Sequence, residues 1–273
     1  MDTAIEPALD NDTKRLFFGA QVKAAWPQEF PQGRFIAEEM RHITLAFLGQ
    51  EEFPKLEKQL KNIPKPSFRL GIVGIGSELL FLPKAHARVV ALNTSWLEDP
   101  QPLFSFQVAL SEWLMSCGYS LRRNSFLPHI TIARAPFQKE EWEKHFEPIP
   151  FFLSAIHLYE SLGHLDYRSL WSHALIDPFI ELEHTADIAF EIRAESIKQL
   201  FVHAQLALFF KFPPLSQFYT PSSTETLDAI IIELNRMIAL ADAECGCPFK
   251  AVSFHGTIVK RHGFFTWEMI VDV

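Results

Sequence analysis

The sequence predicts an α+β protein of two domains, of which the first is internally duplicated. The pattern His, apolar, Thr, apolar occurs at His42 and again at His129. A strand–helix–strand order recurs around each copy, as expected when one supersecondary unit is repeated. Near residue 177 this order ends and a new set of strands and helices begins. The predicted organisation is a disordered tail at 1–13, one domain over 14–177 and a second over 178–273.

The composition is that of a folded protein with aromatic cores. Of the 273 residues, 48% are hydrophobic and 21% are charged, and Phe occurs 26 times, which provides ample apolar surface for burial. The net charge of −8 argues against binding of polyanions over the whole surface, so RNA contact would need a local basic patch. Sparse cysteines, the lack of an apolar run as long as a membrane span, and an acidic start without a signal-peptide pattern predict a cytoplasmic protein.

In the first domain, the elements follow from apolar periodicity and from the residues that interrupt it. Apolar runs bounded by Pro or Gly predict strands, and apolar residues at helical spacing predict helices. A stretch rich in Gly and Leu after residue 73 is expected to be a turn or loop near the site. The predicted strands are 16–22, the two His-x-Thr strands, 68–73, 87–92, 151–159 and 169–175. The predicted helices are 53–63, 106–117, which Gly118 ends, and 136–146.

The second domain is predicted to contain strands at both ends and two helices between them. Apolar residues alternate with smaller or polar ones over 188–192, which indicates a half-buried strand. Two capping boxes, Ser196-x-x-Gln199 and Ser222-x-x-Glu225, each precede apolar residues at helical spacing and predict the starts of the two helices. The closing strand pair is expected over 251–260 and 264–273.

Each His-x-Thr motif places an imidazole and a hydroxyl on one face of a strand. Residues i and i+2 point to the same side, so His42 shares a face with Thr44, and His129 with Thr131. An imidazole can serve as general acid or general base near neutral pH, and a threonine can donate a hydrogen bond to a phosphate oxygen. Buried histidines on edge strands are the alternative, but a core has no reason to repeat this polar pair. The residues predict one cleft for phosphodiester cleavage without a metal, and they leave open which histidine is the acid.

At these residues the chain resembles the two-histidine (2H) phosphoesterases, and within them the RNA 2′,3′-cyclic phosphodiesterase (LigT-like) family. The resemblance extends over about residues 14–175. It implies hydrolysis of RNA 2′,3′-cyclic phosphate ends to 2′-phosphomonoesters, with no cofactor. It also implies that His42 donates a proton to the leaving ribose oxygen and that His129 accepts one from water. The stretches that resemble the family's other strands are 15–20, 74–76 with 87–92, and 158–161 with 167–171.

Further residues are expected to hold the substrate. Thr44 and Thr131 would bind the phosphate. Arg134, three residues after Thr131, would contact the phosphate or the ribose, unless it is a solvated strand-end cation. Additional arginines would contact backbone phosphates of an RNA strand, although the Arg122-Arg123 pair alone is more typical of a surface charge run. One of two aromatic rings would stack on a terminal base, unless both belong to the core. The residues proposed for these contacts are Arg41, Arg122, Arg123, Tyr159 and Phe47.

The two ends of the second domain resemble archease, a protein that acts on a metal-dependent RNA ligase. The resemblance covers 183–187, 250–256 and 267–273. It implies a site for a divalent cation, Ca²⁺ or Mg²⁺, with Asp187, Asp272 and the terminal Val273 as ligands, and hard cations do prefer clustered oxygens. The residues alone are equally compatible with a turn aspartate and a solvated chain end. Before Lys250 the chain is shorter than an archease, which usually carries a β-hairpin region there.

The two resemblances converge on the same RNA terminus. They predict an RNA 2′,3′-cyclic phosphodiesterase joined to a module that assists RNA ligation in tRNA repair or splicing. The expected partners are RNA ends with a cyclic phosphate and a metal-dependent RNA ligase, with no membrane. Two alternatives stay open. One is a 2H phosphoesterase for a small cyclic nucleotide, and the other is an adaptor that holds RNA ends and a ligase without turnover of its own.

Overall fold

The computed structural model describes residues 12–121, 126–185, 187–221, 225–254 and 256–273. Most of the predicted tail lies outside these ranges, although Thr13 already belongs to the first strand. The elements of the first domain are β1 Thr13–Ala24, β2 Arg34–Phe35, β3 His42–Glu52, α1 Phe53–Glu57, β4 Val73–Leu82, β5 Val89–Trp96, α2 Gln101–Ser116, β6 His129–Arg134, α3 Lys139–Lys144, β7 Ile149–Gly163 and β8 Asp166–Ala174.

The second domain is a sheet with two helices, as predicted. Its elements are β9 Phe179–Leu182, β10 Ile188–Ala194, α4 Ile197–Lys211, a 3-10 helix Pro213–Phe218, α5 Leu227–Cys245, β11 Ala251–Val252, β12 Val259–Arg261 and β13 Phe264–Asp272. β9 was not predicted, and the strand predicted over 251–260 is present as the two short strands β11 and β12. In the ranges that the structure describes, no helix is both long enough and apolar enough to span a bilayer.

The first sheet closes around β1. This strand pairs antiparallel with β3 on one side and with β7 on the other. The remaining pairings run from β3 through β6, β5 and β4 to β7, so these strands form a ring of hydrogen-bonded neighbours. β8 adds to β7, and β2 adds to β6. The two histidine strands, β3 and β6, are therefore neighbours in the ring.

The predictions of a strand at 68–73 and of a loop after it are wrong. β4 begins at Val73 and continues through the Gly- and Leu-rich stretch, whereas the residues before it contribute only one isolated bridge. Close packing explains the glycines of β4: a Cβ on Gly74 would lie 2.7 Å from the Phe151 ring, and Gly76 is similarly crowded. Glycine here marks the close approach of a neighbour rather than a turn.

The other helices of the first domain are present, with different ends. The helix predicted over 53–63 is divided into α1 and a 3-10 turn at Leu60–Asn62. α2 begins at Gln101, earlier than predicted, and Gly118 follows its end with a φ of 92°, the left-handed conformation that glycine adopts readily. α3 is confined to Lys139–Lys144.

Side-chain caps begin the two helices of the second domain. Ser196 Oγ accepts a hydrogen bond from Gln199 N at 3.1 Å, which confirms the first predicted cap. The second predicted cap is wrong, because the cap of α5 is Thr226, whose Oγ1 accepts from Ala229 N at 3.2 Å. The Thr226 hydroxyl lies directly at the start of the helix and caps it. Ser222 lies outside the described residues.

The second domain completes its core against the first. Its cluster of buried side chains includes Val73, Ile75, Leu97 and Phe152 from the first domain. The Phe152 ring lies 5.5 Å from that of Phe210 on α4. The two domains therefore do not have separate cores, because the outer face of the first sheet packs against α4 of the second domain.

Polar contacts also cross the domain boundary. The Glu98 carboxylate accepts from Gln199 Nε2 at 2.8 Å and lies 3.8 Å from Nε2 of the buried His203. In the other direction, the Tyr219 hydroxyl donates to the Leu97 carbonyl at 2.7 Å. Hydrogen bonds at a shared apolar core make this boundary resemble a protein interior more than a flexible linker.

Candidate active site

The structure brings the two His-x-Thr motifs together, as predicted. β3 and β6 are in register at the residue that follows each histidine, with Ile43 opposite Ile130. Both isoleucines are fully buried. Because side chains alternate along a strand, His42 and Thr44 lie on the opposite face of β3, and the same alternation holds for β6. The sheet therefore presents both motifs on one side.

Each motif histidine is held by the carbonyl two residues before it. Nδ1 of His42 lies 2.7 Å from the Met40 oxygen, and Nδ1 of His129 lies 2.9 Å from the Leu127 oxygen. A carbonyl can only accept, so each Nδ1 carries a hydrogen and donates it. In the neutral rings Nε2 is then the unprotonated nitrogen. Both imidazoles are therefore held in the same tautomer. The duplication in the sequence thus extends to the hydrogen bonds of these two side chains.

His42 is enclosed by aromatic rings and is only 8% exposed. The centroids of Phe17, Tyr159 and Tyr167 lie 4.8, 5.2 and 5.4 Å from that of its imidazole. Burial disfavours the charged imidazolium and, together with repulsion from neighbouring histidines, lowers the pKa of His42 to about 4. The imidazole is therefore neutral near pH 7 when no anion lies beside it.

A third histidine, His157 on β7, lies next to this aromatic group. Its ring centroid is 5.0 Å from that of Tyr159. Nδ1 lies 2.8 Å from Ser172 Oγ and 2.9 Å from Ser169 Oγ, and Nε2 lies 3.4 Å from Gln21 Oε1. Burial lowers the pKa of His157. Both nitrogens of His157 therefore have partners, and the ring packs in the aromatic group around His42.

A cleft of about 330 Å³ lies over this side of the sheet. Of the predicted site residues, His42, Thr44, Thr131 and Arg134 line it. His129 lines an adjoining groove that shares Thr44 with the cleft. His42 and His129 lie near enough to each other for repulsion between them to contribute to the lowered pKa of His42, and both imidazoles border the region around Thr44.

The cleft is electropositive. Arg15 and Arg34 line it together with Arg134, and no aspartate or glutamate is among its lining residues. In the described part of the chain, none of these arginines has a carboxylate within ion-pair distance. Although the whole chain is acidic, this surface has the local basic character that an anionic substrate requires.

Two residues that were expected to contact RNA are buried instead. The guanidinium of Arg41 lies over the Trp26 ring, 4.3 Å from its centroid, and the residue is 4% exposed. Tyr159 is 1% exposed and packs against His42, so no base can stack on it. Three more residues were expected to contact RNA. Phe47 lines the cleft, and Arg122 and Arg123 lie outside the described residues.

Several residues of the cleft were not predicted from the sequence. Arg15 and Phe17 alternate along β1 with the fully buried Leu16 and Phe18, a period-two signal that the sequence contains. Arg34 lies on a strand of only two residues, too short to give such a signal. The remaining lining residues that were missed are Ile36, Ser161, Gly163, His164, Leu165 and Tyr167.

The predicted metal ligands lie at one end of the second sheet. Because β10 and β13 pair antiparallel up to this end, Asp187 and Asp272 are at neighbouring strand ends. Asp272 Oδ1 accepts from Ser253 Oγ at 3.1 Å, and the Val273 carbonyl accepts from Lys250 Nζ at 2.5 Å. Among the described residues, no three His, Cys, Asp or Glu side chains cluster closely enough to hold a metal ion.

Comparison with known proteins gives sequence relatives for part of the chain. Over 122 residues, 43% of this chain, it is 31% identical to an RNA 2′,3′-cyclic phosphodiesterase of Thermotoga maritima, of which it covers 62%. Over 120 residues, 40% of this chain, it is 33% identical to a protein of the same name from Geobacillus stearothermophilus, of which it covers 36%. The chain thus spans less than two thirds of these curated relatives. No family model matches it.

Solved structures of similar fold include a phosphoesterase, with a TM-score of 0.43 and 24% identity over 59% of this chain and 98% of the other. Another is E. coli LigT complexed with 3′-AMP, with a TM-score of 0.42 and 24% identity over 60% of this chain and 98% of the other. The chain is an α+β protein, and its sequence similarity to proteins named RNA 2′,3′-cyclic phosphodiesterase extends over 40–43% of its length. The archease-like resemblance of the second domain stays a prediction.

Proposed function

We propose that this protein hydrolyses the 2′,3′-cyclic phosphate at the end of an RNA to a 2′-phosphomonoester. The observation that carries the proposal is the pair of imidazoles, His42 and His129, held in the same tautomer beside an electropositive cleft. Hydrolysis of a phosphodiester requires one proton to be removed from water and one to be delivered to the leaving oxygen, and two imidazoles can do both. The relatives of that name support the choice of substrate class.

In the proposed reaction, His129 accepts a proton from water as the water oxygen bonds to phosphorus. The bond from phosphorus to O3′ breaks, His42 donates its proton to O3′, and the phosphate stays on O2′. Thr44 and Thr131 donate hydrogen bonds to the non-bridging oxygens, on which charge accumulates in the transition state. Arg134 adds a positive charge beside them. The order of donor and acceptor follows the family resemblance.

For His42 to act as the proton donor, binding of the substrate must convert its imidazole from the neutral to the protonated form. In the protein alone, a pKa of about 4 leaves the ring neutral near pH 7. A phosphate anion beside Nε2 stabilises the imidazolium and raises that pKa, so proton uptake accompanies binding. As the negative charge moves to the leaving oxygen, the buried ring favours loss of its proton. Burial of His42 therefore opposes protonation before binding and promotes proton donation afterwards.

One incubation tests this activity. An RNA that ends in a 2′,3′-cyclic phosphate is mixed with the protein in EDTA, and the product end is identified by mass spectrometry and by its sensitivity to phosphatase. We expect a 2′-phosphomonoester at an unchanged rate, because both proton-transfer groups are imidazoles. Loss of opening in EDTA, with recovery on addition of a divalent ion, would contradict the mechanism.

A small cyclic nucleotide is the second candidate substrate. The volume of the cleft, about 330 Å³, lies within the range of small-ligand sites and suits a single nucleotide. Turnover of a cyclic mononucleotide without turnover of the RNA would favour this alternative. Binding of RNA ends without turnover of either substrate would favour the adaptor.

For the second domain, we propose a weak site for Ca²⁺ or Mg²⁺ formed by Asp187, Asp272 and an oxygen of Val273. Two carboxylates at neighbouring strand ends suit a hard cation. However, the Lys250 ammonium contacts the Val273 carbonyl and so lies where the cation would bind. The donor set fits a cation only if Lys250 moves away, which is the reason to expect low affinity.

Assistance to a metal-dependent RNA ligase is the partner role that we propose for this domain, and it rests on the archease resemblance. α5 ends at Cys245 and β11 starts at Ala251, which leaves no space for the hairpin region usual in archeases. The test is the rate at which an RNA ligase of this class joins ends with and without the full-length protein. An unchanged rate would remove the ligase role and leave the hydrolysis unaffected.

A further inference from the structure

Arg34 and Arg134 lie directly opposite each other where β2 pairs with β6. Both are exposed, and both line the cleft. Like charges at opposing positions of an antiparallel pair repel each other. Within the described ranges, no carboxylate lies within ion-pair distance of either guanidinium. The protein thus holds two adjacent positive charges at the cleft without a neutralising side chain.

Arg34 is held in position. Its Nε donates to the carbonyl of Ala135 at 2.7 Å, the residue immediately after Arg134. This bond fixes the plane of the guanidinium through one of its five N–H groups and leaves the Nη groups for a ligand. A fixed, planar guanidinium is well suited to bind a phosphate through two parallel hydrogen bonds.

The positive charge of the cleft exceeds what a cyclic phosphate alone requires. A 2′,3′-cyclic phosphodiester carries one negative charge, whereas Arg15, Arg34 and Arg134 all line the cleft. In an RNA, each further phosphodiester adds one negative charge. The excess therefore fits an RNA end better than a cyclic mononucleotide.

We propose that Arg34, supported by Arg134, binds the phosphodiester that joins the terminal nucleotide to the one before it. The protein would then prefer an RNA end to a cyclic mononucleotide. The inference rests on the proposed hydrolysis and deepens it, because it selects between the two substrate classes and assigns a specificity-determining role to Arg34.

The test uses three substrates that share one terminal nucleotide. The first is cytidine 2′,3′-cyclic phosphate, the second is a dinucleotide that ends in the same group, and the third is this dinucleotide with a neutral methylphosphonate link. We expect kcat/KM to be roughly 10-fold higher for the dinucleotide, the effect of one hydrogen-bonded charge contact. The methylphosphonate should behave like the mononucleotide.

Variants identify the residue responsible. Arg34→Gln should remove the preference for the dinucleotide, because kcat/KM should fall much further for the dinucleotide than for the mononucleotide. Arg34→Lys keeps the charge and should retain part of the preference. For the dinucleotide, the salt dependence of log kcat/KM in Arg34→Gln should be shallower by about 0.7, the value for one phosphate contact of a single strand. Lys65→Gln, at an exposed cation that does not line the cleft, should change none of these values.

The outcomes separate the two proposals. A wild-type protein that opens both cyclic phosphates equally well would overturn the second-phosphate site while the hydrolysis stands. Equal losses on both substrates in Arg34→Gln, with Arg34→Lys restoring both, would also overturn it, because Arg34 would then act on the reacting phosphate. A wild-type protein that opens neither substrate would overturn the proposed function and this inference with it.

Discussion

Gly19 on β1 lies directly against the imidazole of His42. A Cβ at position 19 would lie 3.0 Å from Cδ2 of His42 and 3.2 Å from Cε2 of Tyr159. Gly19 also pairs with Thr44, the second polar residue of the same motif. Glycine in a strand interior is a weak strand former, and it is used where another group must approach closely. Here that group is the imidazole of His42, the proposed proton donor.

Gly19→Ala should therefore lower the rate of cyclic-phosphate opening by roughly 10-fold. The added methyl group forces the His42 ring to move by a few tenths of an ångström, and displacements of about 1 Å in an active site cost around 10²-fold. The measurement is single-turnover kinetics combined with thermal unfolding. Unchanged turnover in a folded variant would show that the ring position tolerates this contact.

His42→Ala and His129→Ala should each reduce the rate by about 10²–10⁴-fold, the range for a positioned general acid or base. The double variant should be little worse than either single one, because the two groups act as a unit. Thr44→Ala and Thr131→Ala should cost less. His86→Ala, at an exposed position outside the cleft, is the matched control. Near-normal turnover in a folded His42 or His129 variant would refute the two-histidine mechanism.

The protonation of His42 should depend on an anion in the cleft. Burial lowers its pKa to about 4, so NMR titration of the protein alone should show a neutral ring above about pH 5. A bound 2′-phosphate nucleotide should raise this pKa, because the anion stabilises the imidazolium. An unchanged pKa in the complex would rule out His42 as the donor.

The lowered pKa of His42 also makes the free energy of unfolding depend on pH. The folded-state pKa of His42 lies below its ordinary value of 6.5, so between about pH 6.5 and pH 4 the unfolded chain binds a proton that the folded protein does not. Stability from this residue is therefore complete above pH 6.5 and is lost as the pH falls through this window. Wild-type protein should lose unfolding free energy there more steeply than His42→Gln, as measured by urea titrations at several pH values.

The parts of the site that local pattern determines were predictable. The motif of His42 and Thr44 and its repeat at His129 fix which side chains share a face, since alternation along a strand is a local property. The prediction that the two motifs face one region followed from the repeat, whereas the pairing of β3 with β6, with Ile43 opposite Ile130, is known from the structure.

The parts determined by long-range packing were not predictable. Arg41 precedes His42 in the sequence and carries a charge, yet stacking on Trp26 buries it. No local sequence pattern around Arg41 or Trp26 indicates that contact. Gly74 has the composition of a turn, but the approach of Phe151 makes it part of a strand. In both cases a tertiary contact overrides the local preference.

A further prediction concerns the domain boundary. A fragment that ends at residue 177 would expose Val73, Ile75, Leu97 and Phe152, which the second domain now covers. Because a buried apolar side chain contributes about 1.5–3 kcal/mol, the fragment should be less stable than the full chain by several kcal/mol and prone to aggregate. Urea unfolding of both proteins measures the difference. A fragment with the stability and activity of the full chain would show that the two cores are energetically independent.

The last prediction concerns the second domain. Calorimetric titration of the full-length protein with Ca²⁺, Mg²⁺ and Mn²⁺ should show weak binding, with a Kd on the order of 10⁻⁴–10⁻³ M, the range of sites with few charged ligands. Asp187→Asn and Asp272→Asn should weaken it, because each removes a charge from the ligand set. Lys250→Gln should tighten it, because the ammonium no longer competes for the Val273 oxygen. Asp228→Asn, at an exposed position in the first turn of α5, is the charge-matched control. Absence of binding, or equal binding in the Asp187 and Asp272 variants, would make the second domain a packing or interaction module.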